Sequence, residues 1–329
     1  MTRGFRQLML AASCLALAGC AAGVGPSRAS TATPPPGTDQ WAPVIDEDFP
    51  DPDIVAAHDG WRAFATGMAG LNIRVASSPD LKTWNVQRRD ALPTLPAWAS
   101  PGRTWAPDVS QRSDGTWVMY MAAQDTASGR QCIGVATSAT IDGTFTPVTG
   151  TPIVCPVADG GAIDPSTFQD ANGSRYLLWK TDGNCCGLDT WIEIARLSDD
   201  GLSLVGQTTR LLKQGLPWEG ALIEAPVLVR HDGQYVLFYS ANAYGGDEYA
   251  IGAARATSLL GPYTKQADPV LSTTQSGGHL RGPGGQDVVT TPEGDVLFFH
   301  AWDELYTYRA LHRAPLTWRP DGSATVTGR

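Results

Sequence analysis

Apolar residues in this chain fall into short runs and not into a helical stripe. Five aromatic or β-branched runs follow Asp, Asn or Gly turns: Gly60–Thr66, Trp117–Ala123, Tyr176–Lys180, Tyr235–Ala241 and Val296–Trp302. Turn residues ahead of an apolar run are the grammar of a β-hairpin. Each run is followed by another, Ile73–Ser78, Ile133–Ser138, Ile192–Ser198, Ile251–Ala256 and Tyr308–Arg313, and in four cases by a weaker one near Val86, Phe145, Leu211 or Tyr263. No segment sustains a helical apolar period over successive turns. Ahead of each aromatic run lies an inner segment carrying Pro and, in four of five copies, an acid. The copies span Asp48–Thr66, Thr104–Ala122, Ala162–Lys180, Leu222–Ser240 and Gly282–His300. Aligned on Asp51, Asp108, Asp164, Glu224 and Gly285, they recur at a spacing of roughly 55 to 61 residues.

A long period with several short strands per unit predicts an all-β, five-bladed β-propeller, in which each blade buries its faces against its neighbours. The blades are expected over residues 49–102, 103–157, 158–217, 218–279 and 280–318. A two-sheet sandwich would leave so regular a repeat unexplained. The first strand of every propeller blade lines a central channel, so equivalent positions converge there. Asp51, Asp164 and Glu224, far apart in the chain, are thereby expected around one pocket. Pro cannot donate a ladder hydrogen bond, so the Pro-flanked Asp51, Asp164 before Pro165, and Glu224 in Ile223-Glu224-Ala225-Pro226 belong at a strand start or bulge.

Composition adds three constraints. At 42% hydrophobic and 17% charged residues the chain has the apolar content of a folded protein. The formal charge of -9 becomes -11 (22 basic against 33 acidic) once Arg3 and Arg6 are set aside, which excludes a polyanion such as nucleic acid as partner. The 11 Trp can pack between blades or stack on sugars.

The N-terminus reads as an address. Arg3 and Arg6 precede an apolar run, Leu8–Leu17, too short to span a bilayer, which ends in Leu17-Ala18-Gly19-Cys20. This resembles a bacterial lipobox. Residues 1–19 are then a lipoprotein signal peptide and residues 20–40 a lipidated Cys20 with a small, polar, Pro-rich tether. Residues 41–329 are the propeller catalytic domain. The chain is expected to be exported and held to a membrane only through that lipid anchor. Four further cysteines, Cys132, Cys155, Cys185 and Cys186, allow three pairings in an oxidising compartment. A Cys132–Cys155 bridge within the second blade is favoured. Cys185 and Cys186 then remain as a vicinal bridge or two thiols, with cross-pairing the alternative. None has zinc-ligand spacing.

Two carboxyl groups across a pocket are what glycoside hydrolysis requires: one ionised, acting on water or the anomeric carbon, the other protonated to donate to the leaving oxygen. A third carboxylate raises the acid's pKa by like-charge repulsion. The order of motifs, Phe49–Ile54, Trp105–Val109, Ile163–Phe168, Trp218–Val229 and Gly282–Val289, resembles glycoside hydrolase family 43, the five-bladed arabinanases, arabinofuranosidases and β-xylosidases. The resemblance covers nearly all of the chain from Phe49 to Trp318. It implies an inverting hydrolase with Asp51 as general base, Glu224 as general acid and Asp164 orienting the acid and tuning its pKa. Glu219 is a rival acid out of repeat phase. The substrate implied is a plant cell-wall oligo- or polysaccharide. Release of L-arabinofuranose by an exo-α-L-arabinofuranosidase leads, followed by β-xylosidase and endo-1,5-α-L-arabinanase. A retaining fructan hydrolase and a non-catalytic surface glycan-binding propeller are the readings from other classes. No cofactor is required, and a monomer is expected.

The chain departs from the family at blade five. Where many members place a His that helps hold a central ion or water cluster, it has Gly284-Gly285-Gln286-Asp287. A structural calcium is compatible with this segment but not demanded by it, and Gln286 is expected to orient water. Trp105, Asp108 and Arg309 are further substrate-binding candidates, with Arg309 bonding a sugar or pairing with Asp164. Trp98 and Trp218 are read as outer subsites or packing, His279 as an exposed loop residue or a stand-in for the missing His, and His58 and His231 as solvated turn residues.

Overall fold

The computed structural model describes residues 40–68 and 70–326. The expected signal peptide of residues 1–19, Cys20 and the expected tether up to residue 39 lie outside the described residues. Among those described, no helix is long and apolar enough to cross a membrane. Five antiparallel four-stranded sheets form the blades. Blade one is β1 (Asp53–Ala57), β2 (Gly60–Thr66), β3 (Ile73–Ser78) and β4 (Asn85–Gln87). Blade two is β5 (Ala99–Gln111), β6 (Trp117–Asp125), β7 (Gln131–Ser138) and β8 (Thr146–Pro147). Blade three is β9 (Ala162–Gln169), β10 (Arg175–Thr181), β11 (Trp191–Leu197) and β12 (Leu204–Lys213). Blade four is β13 (Ile223–His231), β14 (Gln234–Ala241), β15 (Ala250–Ala256) and β16 (Thr264–Lys265). Blade five is β17 (Arg281–Thr291), β18 (Gly294–Trp302), β19 (Arg309–Trp318) and β20 (Ala324–Val326). Within each sheet the strands lie in chain order, with the first lining the channel.

The second strands read as continuous apolar runs because both of their faces are covered. In β6, Met119 and Met121 pack towards Phe64 and Val75 of blade one, while Val118 and Tyr120 pack towards Leu177 and Trp179 of blade three. In β14, Leu237 and Tyr239 face blade three and Val236 and Phe238 face blade five. Each pair of neighbouring blades thus shares its own core.

The ring closes from both ends of the chain. Ile45 pairs with Leu311 of β19, and Phe49 N donates to Arg309 O at 2.8 Å. Further along β19, Leu316–Trp318 pairs with β20. Blade five therefore runs to Val326, beyond the expected limit at 318, and leans on a segment ahead of blade one.

Every inner segment has left-handed backbone at the same place: Asp51 (φ 53°), just ahead of β1, Ala106 (43°), Asp164 (54°), Ala225 (51°) and Gly285 (53°). In four of the five sheets the pairing register breaks there, the mark of a bulge. At Gly285 only glycine fits, since a Cβ would lie 2.5 Å from the His300 ring and 2.8 Å from Asp51 Oδ1. These five residues set the true phase of the repeat. Asp108 stands two residues past it, with Asp53 and Asp287, and Glu224 stands one residue before it. The expected alignment of Asp108 and Glu224 with Asp51 is corrected accordingly.

Candidate active site

The bulge turns the strand so that Asp51 and Asp164 reach a cleft at the channel mouth, and Glu224, from its offset position, reaches the same cleft. Asp51 Oδ2 accepts the Thr66 hydroxyl at 2.6 Å, and its Oδ1 lies 3.6 Å from an Arg309 nitrogen. Asp51 N donates to His300 Nδ1 at 3.1 Å. Burial, then Arg309 and His312, hold the His300 ring well below its usual pKa. The ring is therefore neutral with Nδ1 as acceptor, and its 3.4 Å approach to Asp51 Oδ1 is not an ion pair.

Both oxygens of Glu224 are held. Oε1 accepts the Tyr249 hydroxyl at 2.9 Å, and Oε2 lies 3.2 Å from Lys180 Nζ. Lys180 is 1% exposed and also contacts Asp182 at 3.0 Å. Burial alone would discharge this amine, but Glu224, Asp182 and Asp164 outweigh it and raise its pKa. Asp164 Oδ2 accepts Ala225 N at 2.9 Å. Burial, then the neighbouring Glu224, push the Asp164 carboxyl well above the usual carboxylate range, with Lys180 pulling the other way.

Trp105 and Arg309 also line this cleft, as expected, although Arg309 pairs with Asp51 and not with Asp164. Asp108 and Gln286 do not line it. Asp108 gives Oδ2 to Thr167 N at 2.8 Å inside the channel. Gln286 is spent on protein, accepting from the Ser240 hydroxyl at 2.7 Å and donating to Ala225 O at 2.5 Å. Both face the channel behind the cleft, out of reach of a sugar bound at the mouth acids. Glu219 is 0% exposed, ion-paired with Lys265 at 2.5 Å and bonded by Tyr239 at 2.7 Å, so it is a structural anchor and no rival acid. Trp98 packs in the core beside Cys132, and Trp218 stacks on Tyr239. His58 and His279 are exposed, while His231, expected in solvent, stacks on Trp318 at 3.9 Å.

Cys132 is bonded to Cys155 within blade two, and Cys185 to Cys186 in the loop after β10. That loop, with Asp182, Asn184 and Cys185, walls the cleft on the blade-three side.

Tyr249 escaped the sequence reading, and so did four further partners: Thr66, Lys180, Ser240 and His300. These four sit on the second strands. All occupy the same place near the end of the second strands, facing the bulge, where blade two has Ala122. A polar residue recurring at one end of otherwise apolar strands was the available signal.

Behind the mouth, Asp53, Asp108 and Asp287 line the channel. Oxygen donors suit a hard cation such as calcium. Yet among the described residues the only trio of His, Cys, Asp or Glu with ligand atoms within 4.8 Å of one another is Asp125, Cys132 and Cys155, whose sulfurs are bonded together. The channel acids do not form such a trio, and Gln286 is already bonded to protein partners.

The family model for glycosyl hydrolases family 43 matches residues 41–324. Extracellular endo-alpha-(1->5)-L-arabinanase 1 of Bacillus subtilis is 27% identical over 271 residues, 77% of this chain and 80% of its own length. Extracellular exo-alpha-(1->5)-L-arabinofuranosidase ArbA of Cellvibrio japonicus is 27% identical over 312 residues, covering 84% and 85%. A solved thermostable family-43 glycoside hydrolase is 26% identical with a TM-score of 0.77, covering 88% of this chain and 96% of that one.

Proposed function

The chain belongs to glycosyl hydrolases family 43, and from that premise we propose that it is an inverting exo-α-L-arabinofuranosidase releasing arabinose from arabinan or arabino-oligosaccharides. The observation that carries this reading is the convergence of Asp51, Asp164 and Glu224 on one cleft.

The Asp51 carboxylate takes a proton from water as the water attacks the anomeric carbon. Thr66 and Arg309 hold that carboxylate, and His300 holds its backbone, so little reorganisation is needed at the moment of reaction. Glu224 gives a proton to the departing oxygen, with Tyr249 and Lys180 fixing its direction. Asp164 lies beside the acid, its proton affinity raised by burial and by Glu224. Configuration inverts because water and leaving group occupy opposite faces of the sugar.

Exo action is supported by the wall of Asp182, Asn184 and Cys185, which closes one side of the cleft. The arabinanase and arabinofuranosidase relatives are in keeping with an arabinose substrate. Their extracellular naming is in keeping with export, and attachment through Cys20 is part of the proposal.

The test is product analysis from α-1,5-linked arabinotriose, with xylotriose in parallel, by chromatography and by NMR of the newborn anomer. Arabinose with arabinobiose, and an inverted anomer, is the expected result. Xylose alone would replace the reading with β-xylosidase. Early mid-length products from linear arabinan would replace it with an endo-arabinanase. A retained anomer would remove the base role from Asp51.

A further inference from the structure

The cleft continues outward over blades four and five as a run of aromatic rings. Tyr244 lines the cleft together with Tyr249 and Arg309. Its ring stacks on Trp302 with centroids 6.4 Å apart and planes at 18°, and Trp302 meets Tyr306 at 6.0 Å and 41°. Tyr244 is 52% and Tyr306 38% exposed. None of the three belongs to the cores between blades, so packing gives no reason for these rings to be where they are.

The rings are nevertheless held firmly. Trp302 Nε1 donates to Tyr244 O at 2.7 Å, and the Tyr306 hydroxyl is bonded to Asp247. The Arg309 guanidinium lies 5.0 Å from the Tyr244 ring and 5.7 Å from Trp302, and that of Arg281 lies 5.4 Å from Tyr306. Both cations are matched, Arg309 by Asp51 and Arg281 by Asp247 at 3.6 Å each. A rigid aromatic surface loses little conformational entropy on binding. With its charges matched, it favours an uncharged ligand with apolar faces and polar edges. A sugar ring has that form: its C–H face packs on an aromatic ring while its hydroxyls reach water.

We propose that Tyr244, Trp302 and Tyr306 form an accessory saccharide-binding platform. It carries the sugar residues of a neutral polysaccharide beyond the scissile bond, so that binding strengthens with chain length. The occupant follows from continuity with the catalytic cleft and rests on the glycosidase reading above. The Cys185 loop lines the cleft from blade three, and the aromatic run extends it on the side of blades four and five.

The test is the dependence of KM on chain length over α-1,5-linked arabino-oligosaccharides of two to six sugars. In the native protein KM should fall by about tenfold across the series, and in the Trp302→Ala/Tyr306→Ala double variant this fall should flatten to about twofold or less. An unchanged slope in the double variant overturns the platform. Trp302→Phe keeps a ring and should keep most of the slope. A Phe variant as flat as the Ala variant, with a lowered melting temperature, would make the ring structural and also overturn the proposal. Native gels cast with linear arabinan, galactan or xylan read binding without turnover. Retardation of the native protein but not of the double variant in at least one gel is expected, and equal mobility in all three overturns the platform even where hydrolysis is found. Retardation with no hydrolysis would overturn the arabinofuranosidase reading and leave the platform standing.

Discussion

Two sets of carboxyl groups sit on the inner segments of the blades at different distances from the bulge, and serve opposite ends. Asp51 and Asp164 occupy the left-handed bulge and face the cleft, joined there by Glu224. Asp53, Asp108 and Asp287 come two residues later, where the strand is regular again, and face the channel. The mouth acids are surrounded by side chains that steer them: Thr66, Arg309, Lys180 and Tyr249. One oxygen of each channel acid accepts a backbone N–H of the next blade, Asp53 from Val109, Asp108 from Thr167 and Asp287 from Ile54, at 2.8 Å each, a bond that Asp164 at the mouth also makes with Ala225. Burial pushes Asp108 and Asp287 up to about 6, and burial with both neighbours pushes Asp53 well up. Aspartate occurs in both sets. Position relative to the bulge decides whether an aspartate reacts or fastens blades together.

The strongest way to break this contrast is to neutralise one acid of each set. Asp51→Asn should cut turnover by about 10²–10⁴-fold on every substrate, since the base acts whatever the leaving group. Glu224→Gln should lose as much on oligosaccharides but less on aryl arabinofuranosides, whose leaving groups need little protonation. Steady-state kinetics on both substrates read the split. Equal losses for Glu224→Gln on both would remove it from the acid role, and a comparable loss in Asp108→Asn would erase the distinction between the two sets.

A smaller effect is expected from the clasp between the last blade and the first. Asp287→Ala leaves Ile54 N buried without its acceptor, at a cost of about 1–3 kcal/mol. The clasp acts beside the Ile45–Leu311 pairing that also closes the ring, so loss of cooperativity is not expected. Urea denaturation should show a lower midpoint with an unchanged slope. A midpoint equal to that of the native protein would mean that this carboxylate does not hold the blades.

Much of this was legible in the chain, for a physical reason. A strand covered on both faces is uniformly apolar, and five such strands, each behind a Pro-bearing segment, are difficult to arrange except as blades. Asp51 and Asp164 stood out because Pro flanks them where the backbone must bulge. Asp108 was misplaced because residues i and i+2 of a strand share a face. Both point to the axis, and apolar periodicity cannot tell the mouth from the shaft. Gln286 was misjudged because the sequence does not reveal Ser240 and Ala225 waiting for its amide. Lys180 and His300 passed unnoticed as interruptions at the ends of apolar runs. Their meaning appears only when five strand ends are superposed.

The channel set yields the smallest and sharpest prediction. Asp108 binds its proton near pH 6 when folded and near pH 4 when unfolded, so the folded state holds more protons between those values. Stability contributed by this group is therefore present at low pH and lost as pH rises through about 6; Asp287 follows the same sign. Exposed acids with lowered pKa, such as Asp80 and Asp114, act in the opposite sense but below about pH 4, outside this window. Asp108→Asn keeps an oxygen for Thr167 N and removes the charge from a site where Oδ1 is buried without a partner. It should stabilise the protein at pH 7 by about 1–3 kcal/mol and leave it little changed at pH 4. Melting curves at the two pH values decide the matter. A variant that melts with the native protein at both would mean that the channel acids carry no strain, and the contrast with the mouth would then rest on reactivity alone.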